Sequence, residues 1–199
     1  MTDAPSTQDR IREAAVGLLA ARGYGGTSMA DIAEQVGISK AGLYNYYRSK
    51  EELLVELLER SLEAWKEASF SALGGSDSAE ECLRLHLEAC LAFTAEHPAT
   101  VAVIRVAASL IDGDLGHRVN QAVATYKNEY QQSLEGFFAS ALARGEIVGA
   151  EPSDLAFTWR SFLDGCLREL IFRQPTAADP QDRLPQLWRI LWRGLSGKP

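Results

Sequence analysis

Apolar residues recur at helical three-to-four-residue spacing along nearly all of this 199-residue chain, and no stretch alternates as a half-buried strand does. That feature restricts the fold to the all-α class, with helices cut by short Gly, Pro and Asp breaks. The pattern predicts about nine helices. The first runs from Thr7 to Arg22, with Ile11, Ala14, Ala15, Leu18 and Leu19 on one face and Gly23 at its exit. Two short helices follow near 28–36 and 40–47, split by Gly37-Ile38-Ser39. A long helix spans Lys50 to Leu73, its start marked by the S-x-x-E capping box of Ser49 and Glu52. Further helices are predicted near 79–96, 99–110 (ending at Asp112-Gly113-Asp114), 115–144, 152–173 and 182–195. A loop is expected from Pro175 to Pro180.

The chain is 46% hydrophobic, enough to bury a sizeable core. Apolar runs such as Leu91 to Phe93 and Val101 to Ile104 are too short to span a bilayer, so no membrane role is expected. The polar start, Met1 to Arg10, has no signal core, and three scattered cysteines make no disulfide framework. A cytoplasmic location is therefore expected. The net charge of −7 is unevenly placed. Residues 1–50 carry six Lys or Arg against five Asp or Glu, and the remainder fourteen against twenty-two. An acidic body is compatible with a local cationic docking face, because exposed charges are screened beyond about 10 Å.

The most informative segment is Thr27 to Lys50, TSMADIAEQVGISKAGLYNYYRSK. It divides into a support helix, a tight turn at Gly37 and a recognition helix capped by Ser39. Ile32 and Ala33 face inward from the support helix, and Leu43 and Tyr47 anchor the recognition helix. Lys40, Ala41, Gly42, Tyr44, Asn45 and Tyr46 are left for the other faces. Small residues at Ala41 and Gly42 let the backbone come near base edges in the major groove. Lys40 suits guanine, Asn45 suits adenine or a phosphate, and the hydroxyls of Tyr44 and Tyr46 suit phosphate oxygens. Lys50 stands at a helix start that already favours an anion, and Thr27 and Ser28 stand similarly before the support helix. The expected DNA-contacting set is thus Thr27, Ser28, Ser39, Lys40, Ala41, Gly42, Tyr44, Asn45, Tyr46 and Lys50.

The stretch from Ile11 to Leu54, with its TSM-x-DIA, G-IS-K and LY-x-Y-aromatic runs, resembles the N-terminal domain of the TetR/AcrR family of transcription regulators. That family's recognition helix usually ends in Tyr-x-His-Phe, where this chain has Tyr46 and Tyr47. The resemblance implies a DNA-binding domain at 1–50 and a ligand-binding and dimerisation domain at 51–199. It implies a homodimer, most simply a repressor, that binds a palindromic double-stranded operator and is released by an unidentified small molecule. No cofactor and no enzymatic activity are expected. His86, His97 and His117 sit near no nucleophile or acid pair, and there is no phosphate-cradling Gly loop.

The resemblance places the dimer contact on the last two long helices. Leu155, Trp159, Phe162, Cys166 and Leu170 form a stripe on one, and Leu184, Leu187, Trp188, Leu191 and Leu195 on the other. The expected interface residues are Leu155, Phe162, Cys166, Leu184, Trp188 and Leu191; packing onto the subunit's own core is the alternative. The ligand pocket is expected between the 50–73 helix and the three after it, lined by Trp65, Phe93, Arg105, Tyr126, Tyr130 and Trp159, unless these are plain core. Arg105 interrupts an apolar run; if buried it needs an anionic partner, either a ligand carboxylate or phosphate or a Glu or Asp, and plain exposure is the third alternative. Cys82, His86 and Cys90 share one helical stripe, which leaves a thiol- or metal-responsive regulator open. A non-switching architectural DNA-binding protein is the other alternative.

Overall fold

The structure is a computed structural model that describes residues 4–110, 113–171 and 180–197, without the side chains of 169–171 and 180–183. Asp112, the side chain of Leu170 and all but Pro180 of the expected loop at 175–180 lie outside the described residues. Among the described residues the chain is all helical. The helices are α1 (Thr7–Arg22), α2 (Met29–Val36), α3 (Lys40–Tyr44), α4 (Lys50–Phe70), α5 (Ala79–Glu96), α6 (Pro98–Ala108), α7 (Gly113–Ala143), α8 (Pro152–Ile171) and α9 (Pro180–Ser196). A short 3-10 turn, Ser71–Gly74, follows α4 and ends it earlier than expected. No single described helix is long and apolar enough to cross a membrane.

Local chemistry sets the ends. Ser6 caps α1 by accepting from the Asp9 amide at 3.1 Å. Ser28 caps α2 in a complete capping box: its hydroxyl accepts from the Asp31 amide, and the Asp31 carboxylate accepts from the Ser28 amide at 2.8 Å. The Ser28 hydroxyl, and next the Ser28 amide, hold the Asp31 carboxyl below its ordinary range. At α4 the expected box is altered. Ser49 accepts from the Glu52 amide at 3.1 Å, but the Glu52 carboxylate accepts from the amide of Arg48, one residue before Ser49.

The chain divides into two compact units. Unit 1 is Met1–Ala64 with His97–Tyr126, and unit 2 is Trp65–Glu96 with Lys127–Pro199. The first division falls inside α4. The core of unit 1 joins Ile11, Leu19, Ile32, Leu43, Leu54 and Val103, among others, so α6 packs with α1 to α4. Leu58, Leu62, Ala107 and Val119 form an adjoining cluster. In unit 2, Leu83, Leu134, Phe138, Ala156 and Trp159 are fully buried.

Gly37 ends α2 in the left-handed region, φ 76° and ψ 34°, and its amide bonds back to Ala33 and Glu34 carbonyls. A Cβ there would touch nothing, so the backbone alone sets the cost of replacement. Gly37→Ala is expected to destabilise the chain by about 1 kcal/mol. In a chain of this size that lowers Tm by about 2–4 °C, which calorimetry can check.

Candidate nucleic-acid interface and effector site

The recognition segment is built on a short helix. Ser39 caps α3 by accepting from the Gly42 amide at 3.0 Å. A Cβ at position 42 would lie 3.2 Å from the Ser39 Oγ, so glycine also leaves room for the cap. Leu43 and Tyr47 are buried as expected. The regular helix stops at Tyr44, short of the expected 47. Asn45 and Tyr46 instead donate to the carbonyls of Gly42 and Leu43, a 3-10 tightening of the last turn, and Tyr47 donates to Leu43.

The anchors and cap leave the intervening side chains outward. Lys40, Ala41 and Asn45 are exposed, and Tyr44 and Tyr46 are 43% and 45% exposed, high for rings of their size. The Lys40 ammonium lies 6.0 Å from the Tyr44 ring centroid. One exposed strip therefore carries a cation, two phenol hydroxyls and an amide beside small residues. That is the chemistry of phosphate and base-edge contacts. Ser28 and Ser39 are exposed at the starts of α2 and α3, with their hydroxyls engaged in capping.

Two members of the expected set are placed differently. Thr27 is buried, and its hydroxyl donates to the Gly23 carbonyl at 3.0 Å. The Lys50 ammonium donates to the carbonyls of Tyr24 and Thr27.

In unit 2 the structure centres on a residue that sequence reasoning had placed only in a sulfur-containing stripe. His86 is fully buried. The indole N–H of Trp159 donates to His86 Nδ1 at 3.0 Å. Indole only donates, so Nδ1 is the accepting nitrogen and the neutral ring carries its proton on Nε2. Tyr130 Oη lies 3.4 Å from Nε2, and Cys90 Sγ 3.8 Å from it. Desolvation pulls the His86 pKa down to about 4. The same cause pushes the Cys90 thiol up to about 12, far from a reactive thiolate at neutral pH. The Cys82 thiol points to the Ser76 carbonyl at 3.0 Å. Among the described residues, no group of three His, Cys, Asp or Glu is arranged to hold a metal.

The expected ligand-lining residues separate. Trp65 meets Phe93 edge-on at 5.3 Å, Tyr130 stacks with Phe70 at 5.2 Å, and Trp159 is sealed against His86, all in unit 2. Tyr126 packs on the Leu58–Leu62 cluster of unit 1. Arg105 is exposed, the last of the alternatives open for it, and it stands in the last turn of α6, where a cation suits the helix dipole. It is therefore not a buried cation in need of an anion. Of the expected interface residues, Leu155 is buried in its own unit and belongs to that core. Phe162, Cys166, Leu184, Trp188 and Leu191 are partly exposed. Among the described residues of α8 and α9, Phe157, Leu187 and Ile190 are large exposed apolar side chains. Sequence reasoning also missed a groove of about 660 Å³ between α5 and α9, where Leu87 and Leu91 face Leu184, Trp188 and Trp192.

Residues 11–57 match the family described as bacterial regulatory proteins, tetR family. The chain is 26% identical over 175 residues to the nucleoid occlusion factor SlmA of Vibrio vulnificus, covering 87% of each. Its fold matches the TetR family transcriptional regulator PfmR of Thermus thermophilus, with a TM-score of 0.74 at 24% identity over 96% of this chain and 98% of that one. It also matches AibR in complex with isovaleryl coenzyme A and operator DNA, with a TM-score of 0.70 at 23% identity over 96% and 98%. FadR of Bacillus subtilis in complex with stearoyl-CoA matches with a TM-score of 0.74 at 20% identity over 94% and 98%. Residues 11–57 therefore carry a helix-turn-helix that matches the tetR family of bacterial regulatory proteins, and the chain around it has the fold of the TetR-family transcriptional regulators it resembles.

Proposed function

We propose that this regulator is a repressor that binds a palindromic operator as a homodimer and is released by an acyl-coenzyme A thioester. The division of labour along residues 39–47 carries the DNA half of the reading. Ser39, Leu43 and Tyr47 hold the recognition segment, while Lys40, Ala41, Asn45, Tyr44 and Tyr46 are exposed together for DNA. Residues 1–50 are taken as the DNA-binding domain and 51–199 as the ligand-binding and dimerisation domain. The exposed apolar residues of α8 and α9 favour self-association through those helices, because burying them between two copies removes apolar surface from water. Two-fold symmetry then sets two recognition segments about 34–36 Å apart, one turn of DNA. AibR and FadR, with acyl-CoA bound, support the effector class.

The test begins with selection of a duplex from a randomised library by the full chain. The expected site is a short inverted repeat, bound by a dimer on analytical ultracentrifugation. Isovaleryl-CoA or stearoyl-CoA is expected to release it, and free coenzyme A is not. Reversing occupancy from 99:1 to 1:99 requires an effector preference of about 10⁴-fold for the released state. Tight acyl-CoA binding with unchanged operator affinity would falsify the coupling.

The SlmA relative, a nucleoid occlusion factor, favours a second reading, a nucleoid-associated role. Chromatin immunoprecipitation separates the two: one or a few promoters support the repressor, and sites spread over the chromosome support the alternative.

A further inference from the structure

Lys50, the first residue of α4, reaches back to the loop that precedes α2. Its ammonium donates to the Tyr24 carbonyl at 2.9 Å and to the Thr27 carbonyl at 2.8 Å. It also lies over the Tyr24 ring, 3.9 Å from the centroid. The next residue acts on the same loop, because Glu51 accepts from the Tyr24 hydroxyl at 2.8 Å. The Glu51 carboxyl is held below its ordinary range by its own backbone amide, then by the hydroxyls of Ser49 and Tyr24. The loop is closed at its neck by the Thr27 hydroxyl on the Gly23 carbonyl. At Gly26 a Cβ would collide with the Arg22 carbonyl, so only glycine lets the loop lie this close to the end of α1. The loop runs directly into Ser28, the cap of α2.

An ammonium has three N–H donors, and two of these are engaged by backbone carbonyls inside the protein. We infer that Lys50 is a positioning residue for DNA binding: it fastens the Tyr24–Thr27 loop, and with it the capped start of α2, to the first turn of α4, rather than serving as a phosphate contact. The inference rests on the DNA interface proposed above. It gives the regulator a joint: a shift of the first turn of α4 is handed to α2 through one ammonium and one phenol. The recognition segment then moves with its support helix.

The test combines hydrogen exchange of the free, full-length protein with DNA binding over a KCl series, using a duplex that the wild-type chain selects from a randomised library. Lys50→Met is expected to speed exchange at the amides of residues 25–31 by about tenfold. It should weaken binding by about tenfold and leave the slope of log affinity against log salt unchanged. Unchanged exchange with a slope shallower by about 0.9 per contact is the signature of a lost phosphate contact, and overturns the inference. Lys40→Met is the control, expected to flatten the slope and leave exchange alone. If Lys40→Met changes neither affinity nor slope, the DNA-interface reading fails at Lys40, while the exchange result for Lys50→Met still decides the joint. Tyr24→Leu keeps the ammonium but removes the ring and the bond to Glu51, and serves if Lys50→Met does not fold. It is expected to speed exchange at the same amides, and protection equal to wild type there overturns the inference.

Discussion

Trp159→Ala is expected to destabilise the chain by about 3–5 kcal/mol, the range for truncating a large, fully buried aromatic. Trp159 is completely buried, with Phe162 and Trp188 at ring-centroid distances of 5.8 and 6.2 Å. Two losses combine in this variant. One is the cavity left by the indole, and the other is the donor that His86 Nδ1 accepts. Trp159→Phe separates them, because it keeps much of the ring and removes the N–H. Leaving one buried acceptor unpaired costs about 1–3 kcal/mol. Urea unfolding should therefore order the proteins as wild type, Trp159→Phe, then Trp159→Ala. A Phe variant as stable as wild type would show that the hydrogen bond contributes nothing net.

Stability is also expected to fall by about 2 kcal/mol between pH 7 and pH 5 on account of His86 alone. In the folded state its pKa is lowered from 6.5 to about 4 by desolvation. The unfolded chain therefore binds a proton in the window between those values, and the folded chain does not. The contribution is present above pH 6.5 and is lost as pH falls toward 4, at a limiting slope of about 1.4 kcal/mol per pH unit. Asp164 acts with the opposite sign, because desolvation raises its pKa against the pull of Arg160, Lys127 and Arg168. The comparison that isolates His86 is thus the wild type minus His86→Gln, each unfolded in urea at several pH values. Parallel pH profiles for the two proteins would show that His86 does not carry the effect.

What could be read from the sequence follows the range of the interactions. The anchors Leu43 and Tyr47, the cap at Ser39 and the turn at Gly37 depend on residues a few positions apart, so spacing alone exposed them. The capping box at α2 was missed because Asp31 stands where Glu or Gln is usual, although its carboxylate reaches the same amide. At α4 the Glu52 carboxylate reached one amide further back than the pattern implies. The surroundings of Arg105 stayed open because an apolar run of eight positions covers every face of a helix, and only the fold shows that one face of α6 meets solvent at that position. His86 was seen only as one member of a stripe of i, i+4 neighbours. Its contacts with Tyr130 and Trp159 come from residues 44 and 73 positions away, and no local period reports them. Lys50 was read from its place at a helix start, which favours an anion. The carbonyls that occupy its ammonium lie 26 and 23 positions earlier.

The short recognition helix has a consequence for retargeting. A five-residue helix has no stability of its own, since nucleating even one turn is unfavourable. Its shape is imposed by the serine at its head and by the two buried side chains at 43 and 47. Those three positions form a chassis, and the outward positions between them are payload. A library randomised at 40, 41, 44, 45 and 46 should therefore yield many folded variants with new operator preferences. The same diversity placed at 39, 43 and 47 should yield few soluble clones of any preference. In this fold, the vocabulary of DNA reading can drift while its grammar stays fixed.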